Sequence, residues 1–97
     1  MKITGRLHKV FETVTGESEN GFWSRRDFVV ETLDSSPKKV CFTLIGDNRV
    51  KQLDNVGVGA MVVVDFMPES KCITKEGYEE KWFTTLKAFG VQVFNKA

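Results

Sequence analysis

Residues 38–67, KKVCFTLIGDNRVKQLDNVGVGAMVVVDFM, decide the fold. Val40, Phe42 and Leu44 alternate with Lys39, Cys41, Thr43 and Ile45, the period of a strand with one buried face. Gly46 ends that strand. Asp47 is placed to cap a short helix over 48–54, where Val50 and Leu53 lie three apart on one side. Gly57 and Gly59 mark a turn. Met61–Met67 is then almost continuously apolar, as expected of a strand covered on both faces, and Pro68 is expected to stop it.

Working outward, residues 2–14 read as a first strand, with Ile3, Gly5, Leu7 and Phe11 set against Thr4, Arg6 and His8. Residues 15–21 read as a polar loop whose Asn20-Gly21 pair is a turn signal. A second strand over 22–33 puts Phe28, Val30 and Thr32 on one face and Trp23, Arg25, Asp27 and Val29 on the other. Asp34–Pro37 is a tight connection, so the first three strands are expected to form a meander. Beyond Pro68, residues 69–79 read as a charged loop or hairpin tip, and Glu80–Phe94 as a long last strand bent at Gly90. The expectation is one mostly β domain over 1–97. It is a five-stranded OB-fold Greek-key barrel with a short helix between strands three and four. An SH3-like barrel, the main competitor, would have shorter strands and no helix at that point.

Composition agrees. The 97 residues contain 13 Val, 3 Ile and 8 Thr against only 3 Ala and 5 Leu, a bias toward strands. Lys+Arg is 14 and Asp+Glu 13, a net charge of +1, which excludes a tail-like polybasic binder. Any nucleic-acid site must come from charge placement. No apolar run approaches the roughly 18–20 residues of a membrane span, and the start shows no signal-peptide core. Cys41 and Cys72 form no CxxC pair and His8 is the sole histidine, so neither a metal nor another cofactor is expected. Two free thiols fit a cytoplasmic location.

The layout resembles the single-stranded-DNA-binding OB domains of SSB and PriB type. It resembles more closely a family of short OB-type proteins common in Bacteroidetes and their phages. The carrying segments are Ile3–Leu7, Gly21-Phe22-Trp23 with Phe28–Thr32, Pro37–Phe42, Val56–Gly59 leading into a strand, and Trp82–Ala88 with its aromatic-Thr-Thr start. Together they cover most of the chain. The resemblance implies a non-enzymatic binder of single-stranded DNA or RNA. Two features depart from SSB: Glu17 and Glu19 in the first loop would repel phosphates, and partner recruitment through an acidic tip beyond Ala97 is not expected.

No residue pattern supports catalysis. His8 has no nucleophile or carboxylate arranged with it, and Gly57-x-Gly59 precedes a strand, not the helix N-terminus a phosphate site needs. Asp65, inside an apolar strand, is expected at an edge or paired with a lysine or a backbone N–H. Sequence-neutral single-strand binders combine aromatics for stacking with cations that track phosphates. If Phe28, Val30, Val40, Phe42 and Leu44 fill the interior, then Trp23, Arg25, Lys39 and Thr43 lie outside, with Lys71, Lys75 and Tyr78 in the next loop and Trp82 beyond. Those eight residues are the candidate site. Two readings stand for both tryptophans, base stacking and core packing. A rival function also stands: Val29, Cys41 and Ile45 suit a protein-interaction or assembly module, and a dimer or tetramer is expected under either reading. No small-molecule substrate and no membrane partner are expected.

Overall fold

The computed structural model describes residues 1–77 and 79–94. The strands are β1 (Lys2–Val10), β2 (Val14–Ser18), β3 (Gly21–Thr32), β4 (Lys39–Ile45), β5 (Met61–Ile73) and β6 (Lys81–Val93). One short helix, α1 (Asp47–Val50), runs into a 3-10 turn at Lys51–Leu53, between β4 and β5. The chain is mostly β, as its branched residues imply. Strand order in the single sheet is β1-β5-β6-β4-β3-β2, and β1 also pairs with β3. Five strands therefore pair in a ring, with β2 added on the outside of β3. The seam between β4 and β6 is thin, one parallel pair at Thr43 and Lys87.

The strand count is six where five were expected. The polar stretch read as a loop forms β2, pairing Val14 with Arg25 through Ser18 with Gly21. Its polar residues need no core, because β2 lies outside the ring and none of its residues is buried.

The interior follows the expected parity. Leu7, Phe28, Val30, Phe42, Leu44, Val62 and Val64 are fully buried, with Val40 half-buried beside them. Phe28 and Phe42 stack at 5.4 Å between ring centroids, and Phe66 meets Phe42 edge-on at 5.0 Å. Such aromatic pairs are worth about 0.5–1.5 kcal/mol beyond their buried area.

Three expectations are corrected here. Asp47 does not cap the helix; Gly46 holds the cap position at φ 110°, and Asp47 instead accepts the hydroxyl of buried Ser24. Pro68 does not stop β5, which continues to Ile73. The Phe66 N–H donates to Met1 O at 2.8 Å, on the β1 side. Two residues on, the proline nitrogen faces the same way, past the end of β1, so its missing N–H disrupts no ladder. Residues 69–73 are thus strand, paired with 81–85, and β5–β6 forms a long hairpin standing off the ring.

The bend expected at Gly90 is a bulge. Asp65 faces Gly90 while Phe66 faces Ala88, which leaves Phe89 extra. Gln52 secures it, donating to Phe89 O at 3.2 Å and accepting from Val91 N–H at 2.8 Å. Asp65 is exposed, and its carboxylate lies 3.8 Å from the Met1 ammonium; Lys2 is its register neighbour on β1 but forms no ion pair with it.

Candidate nucleic-acid interface

The outer face of β3 and β4 meets one face of the β5–β6 hairpin in a cleft of about 320 Å3. Arg25, Thr43 and Ile45 form one wall; Lys71, Phe83 and Lys87 form the other. A second cleft of about 400 Å3 adjoins it toward the hairpin tip, sharing Ile73 and Phe83 and adding Lys75, Lys81 and Glu79. The pairing register explains the composition. Lys71 faces Phe83 and Ile73 faces Lys81, so one hairpin face interleaves cations with apolar side chains.

Phe83 is 53% exposed and lies between the two clefts, an accessible ring with cations on both sides. Lys71, Lys75 and Lys81 enter no ion pair among the described residues. Lys87 is held by Glu69 at 2.6 Å, and this contact lowers the Glu69 pKa from its ordinary value. Arg25 lies 3.4 Å from Asp27. The cleft is therefore net basic although the chain is nearly neutral.

The structure brings Arg25, Thr43 and Lys71 into one cleft and Lys75 into the next. Thr43 is only 5% exposed, and its hydroxyl donates to Asp27 at 2.8 Å, which removes it from ligand contact. Lys39 faces Glu31 at the far end of β3 and lines neither cleft. Trp82 is 63% exposed but faces Cys72, on the opposite side of the hairpin from Phe83, and its indole N–H donates to Glu80 at 2.6 Å. Trp23 shares a face with Arg25 yet lies over Gly16 on β2 and lines neither cleft. It is 39% exposed, between the core and platform readings. Tyr78 lies outside the described residues.

Sequence reading missed Phe83 and Lys81. The signal was present as alternation over 81–87, but reading 69–79 as a loop removed the partner strand that fixes which parity faces the cleft. Arg26, adjacent to Arg25, turns inward. It donates to Asp54 at 2.9 Å, Phe11 O at 3.0 Å and Val50 O at 3.3 Å, tying the helical segment to β3. Cys41, beside Asp27 on the outer face, has its thiol pKa raised by burial and then by that carboxylate. No group of three or more His, Cys, Asp or Glu gathers as a metal site among the described residues. Nor is any helix there long and apolar enough to cross a membrane.

Residues 2–92 match the family described as a domain of unknown function, DUF3127. The chain belongs to that family. No curated protein sequence matches this DUF3127 domain. Its fold is similar to Rim1, the mitochondrial single-stranded DNA binding protein of S. cerevisiae, in two crystal forms. TM-scores are 0.70 and 0.67 at 15% and 16% identity, over 100% of this chain and 95% and 96% of those chains. The small single-stranded DNA-binding protein from Streptomyces coelicolor gives a TM-score of 0.57 at 15% identity, over 97% of this chain and 92% of that one. This DUF3127 domain thus has the SSB-like OB fold that its sequence resembles, and the comparisons indicate no catalytic family.

Proposed function

We propose that this domain is a non-catalytic single-strand nucleic-acid binder, DNA before RNA, largely indifferent to sequence. The observation that carries the reading is the pair of clefts joined at Phe83 and lined by Arg25, Lys71, Lys75, Lys81 and Lys87. An exposed aromatic ring takes a base of any identity, and flanking cations take the phosphates on either side. The SSB-like fold supports the assignment by analogy. We read the ring of five strands as the OB Greek-key barrel, with β2 as an addition. The path runs from Arg25 up the hairpin and away from Lys39, whose partner Glu31 opposes phosphate. Trp23 stays in the proposal as a stacking group beside the path, Tyr78 stays in it on its sequence alone, and Trp82 leaves it.

The test is fluorescence-anisotropy titration of labelled oligo-dT and oligo-rU at several salt concentrations. Four phosphate contacts predict a log–log salt slope of roughly −3 for a single strand. No binding at low salt overturns the reading. A second reading, an OB-type assembly module, is favoured by Phe22, which is 86% exposed and covered by nothing among the described residues.

A further inference from the structure

Phe22 is the most exposed of the large hydrophobic side chains among the described residues. It faces Glu17 across the β2–β3 hairpin, and Glu19 lies in the adjoining turn, also exposed. Neither glutamate enters an ion pair among the described residues. The tip therefore presents an uncovered ring flanked by two carboxylates. The hairpin clefts present the reverse, an uncovered ring flanked by Lys71, Lys75 and Lys81. A carboxylate–aromatic–carboxylate tip carries the same chemistry as phosphate–base–phosphate.

Strand parity prevents a chain from filling its own cleft. Phe22 and Arg25 are three apart on β3, so they point to opposite faces, and the cleft lies on the Arg25 side. Only another molecule can seat the tip. We propose that the β2–β3 tip of a second copy of this chain docks in the β5–β6 cleft, with Phe22 against Phe83 and Glu17 and Glu19 on the cleft lysines. The contact itself rests on charge and aromatic complementarity. Its consequence, that self-association and single-strand binding exclude one another, rests on the reading of the cleft given above. Opposed exposed charges make the contact sensitive to salt, and the Debye length falls from about 10 Å at 0.1 M to about 3 Å at 1 M.

Sedimentation velocity over a range of concentrations, at low and high salt, tests the contact. Concentration-dependent association at low salt, dispersed at high salt, is expected. Phe22→Ser, Glu17→Lys and Lys71→Glu should each abolish it. Mixing Glu17→Lys with Lys71→Glu should restore association between the two variants, because a lysine tip then meets a glutamate cleft. Near-UV circular dichroism checks that each variant is folded. A single species at every concentration and salt overturns the proposal, as does association that persists in Phe22→Ser and Glu17→Lys. Oligo-dT binding by Phe22→Ser, which has no tip to compete, is read separately. Failure there overturns the nucleic-acid reading and leaves the contact between copies standing.

Discussion

Trp23 and Gly16 face each other across β2 and β3, and the indole occupies the space a side chain at 16 would need. A Cβ placed on Gly16 would clash with Cζ2, Cε2 and Cη2 of the indole's six-membered ring. The glycine loses nothing by lacking a side chain here, because the tryptophan supplies the contact across the strands. It also explains how an edge strand as polar as β2 is held. Gly16→Val should drive the indole off the hairpin, with a loss of about 0.5–1 kcal/mol, the scale of one cross-strand pair. In a Trp82→Phe background the emission of Trp23 should shift to the red, and amide exchange across β2 should accelerate. Unchanged emission would contradict the packing.

Phe83 and Trp82 are neighbours with opposite assignments, which makes them a matched pair for mutation. Phe83→Ala removes the ring between the clefts and should weaken oligo-dT binding by about 1–3 kcal/mol, the range for one base–aromatic stack. Trp82→Ala should leave affinity within about twofold, since its ring faces away from the lysines. Anisotropy titration of both variants decides. Equal losses would place the strand on the other face.

The core was legible because its signal is local. Phe28, Val30, Phe42 and Leu44 alternate with polar residues and are buried as the alternation requires. The helix between β4 and β5 and the β-branched bias were likewise readable. The hairpin was not. Pro68 reads as a stop unless its edge position is known, and that depends on β1 ending level with Phe66, a tertiary fact. With residues 69–73 taken as loop, no register linked Lys71 to Phe83. Trp82, expected at the site, has the parity that faces away from the cleft. Thr43 shows a related limit: parity places it outside, but only the thin β4–β6 seam and the Asp27 contact reveal that it is covered.

Glu69 partly neutralises the cleft by holding Lys87. Its pKa is lowered by the hydrogen bond and charge of that lysine, so it stays ionised to a lower pH than an unpaired glutamate would. Across neutral and mildly acidic pH this pair should therefore give oligonucleotide affinity no pH dependence. Glu69→Gln releases Lys87 at every pH. Binding should tighten several-fold, and the salt slope should steepen by about 0.7, one extra single-strand contact. Unchanged affinity in Glu69→Gln would remove Lys87 from the path.

Cys41 offers a probe of the same face. Burial first, and Asp27 second, raise its pKa above the ordinary thiol value, while Arg25 opposes them. The thiolate is the reactive species, so a raised pKa slows alkylation near pH 8. In a Cys72→Ser background, iodoacetamide should modify native Cys41 more slowly than the denatured chain. Asp27→Asn should speed the native reaction by removing the nearby negative charge. Equal native and denatured rates would contradict the shift.

Arg26 separates structure from binding, since it neighbours Arg25 in sequence but faces inward. Its guanidinium joins three segments by donating to Phe11 O, Val50 O and the Asp54 carboxylate. A hydrogen bond to a charged group contributes about 1.5–3 kcal/mol, and removing the donor leaves two carbonyls to find water. Arg26→Met keeps the length of the side chain and loses all three bonds. It should cost about 2–3 kcal/mol in urea denaturation, with the largest loss of exchange protection at Val50–Leu53. The folded fraction should bind oligo-dT as the parent does, because Arg26 lines neither cleft. Arg25→Met should do the opposite, lowering affinity and shallowing the salt slope by about 0.7 while stability changes little. If both variants lost affinity equally at matched folded fractions, the inward assignment of Arg26 would be wrong.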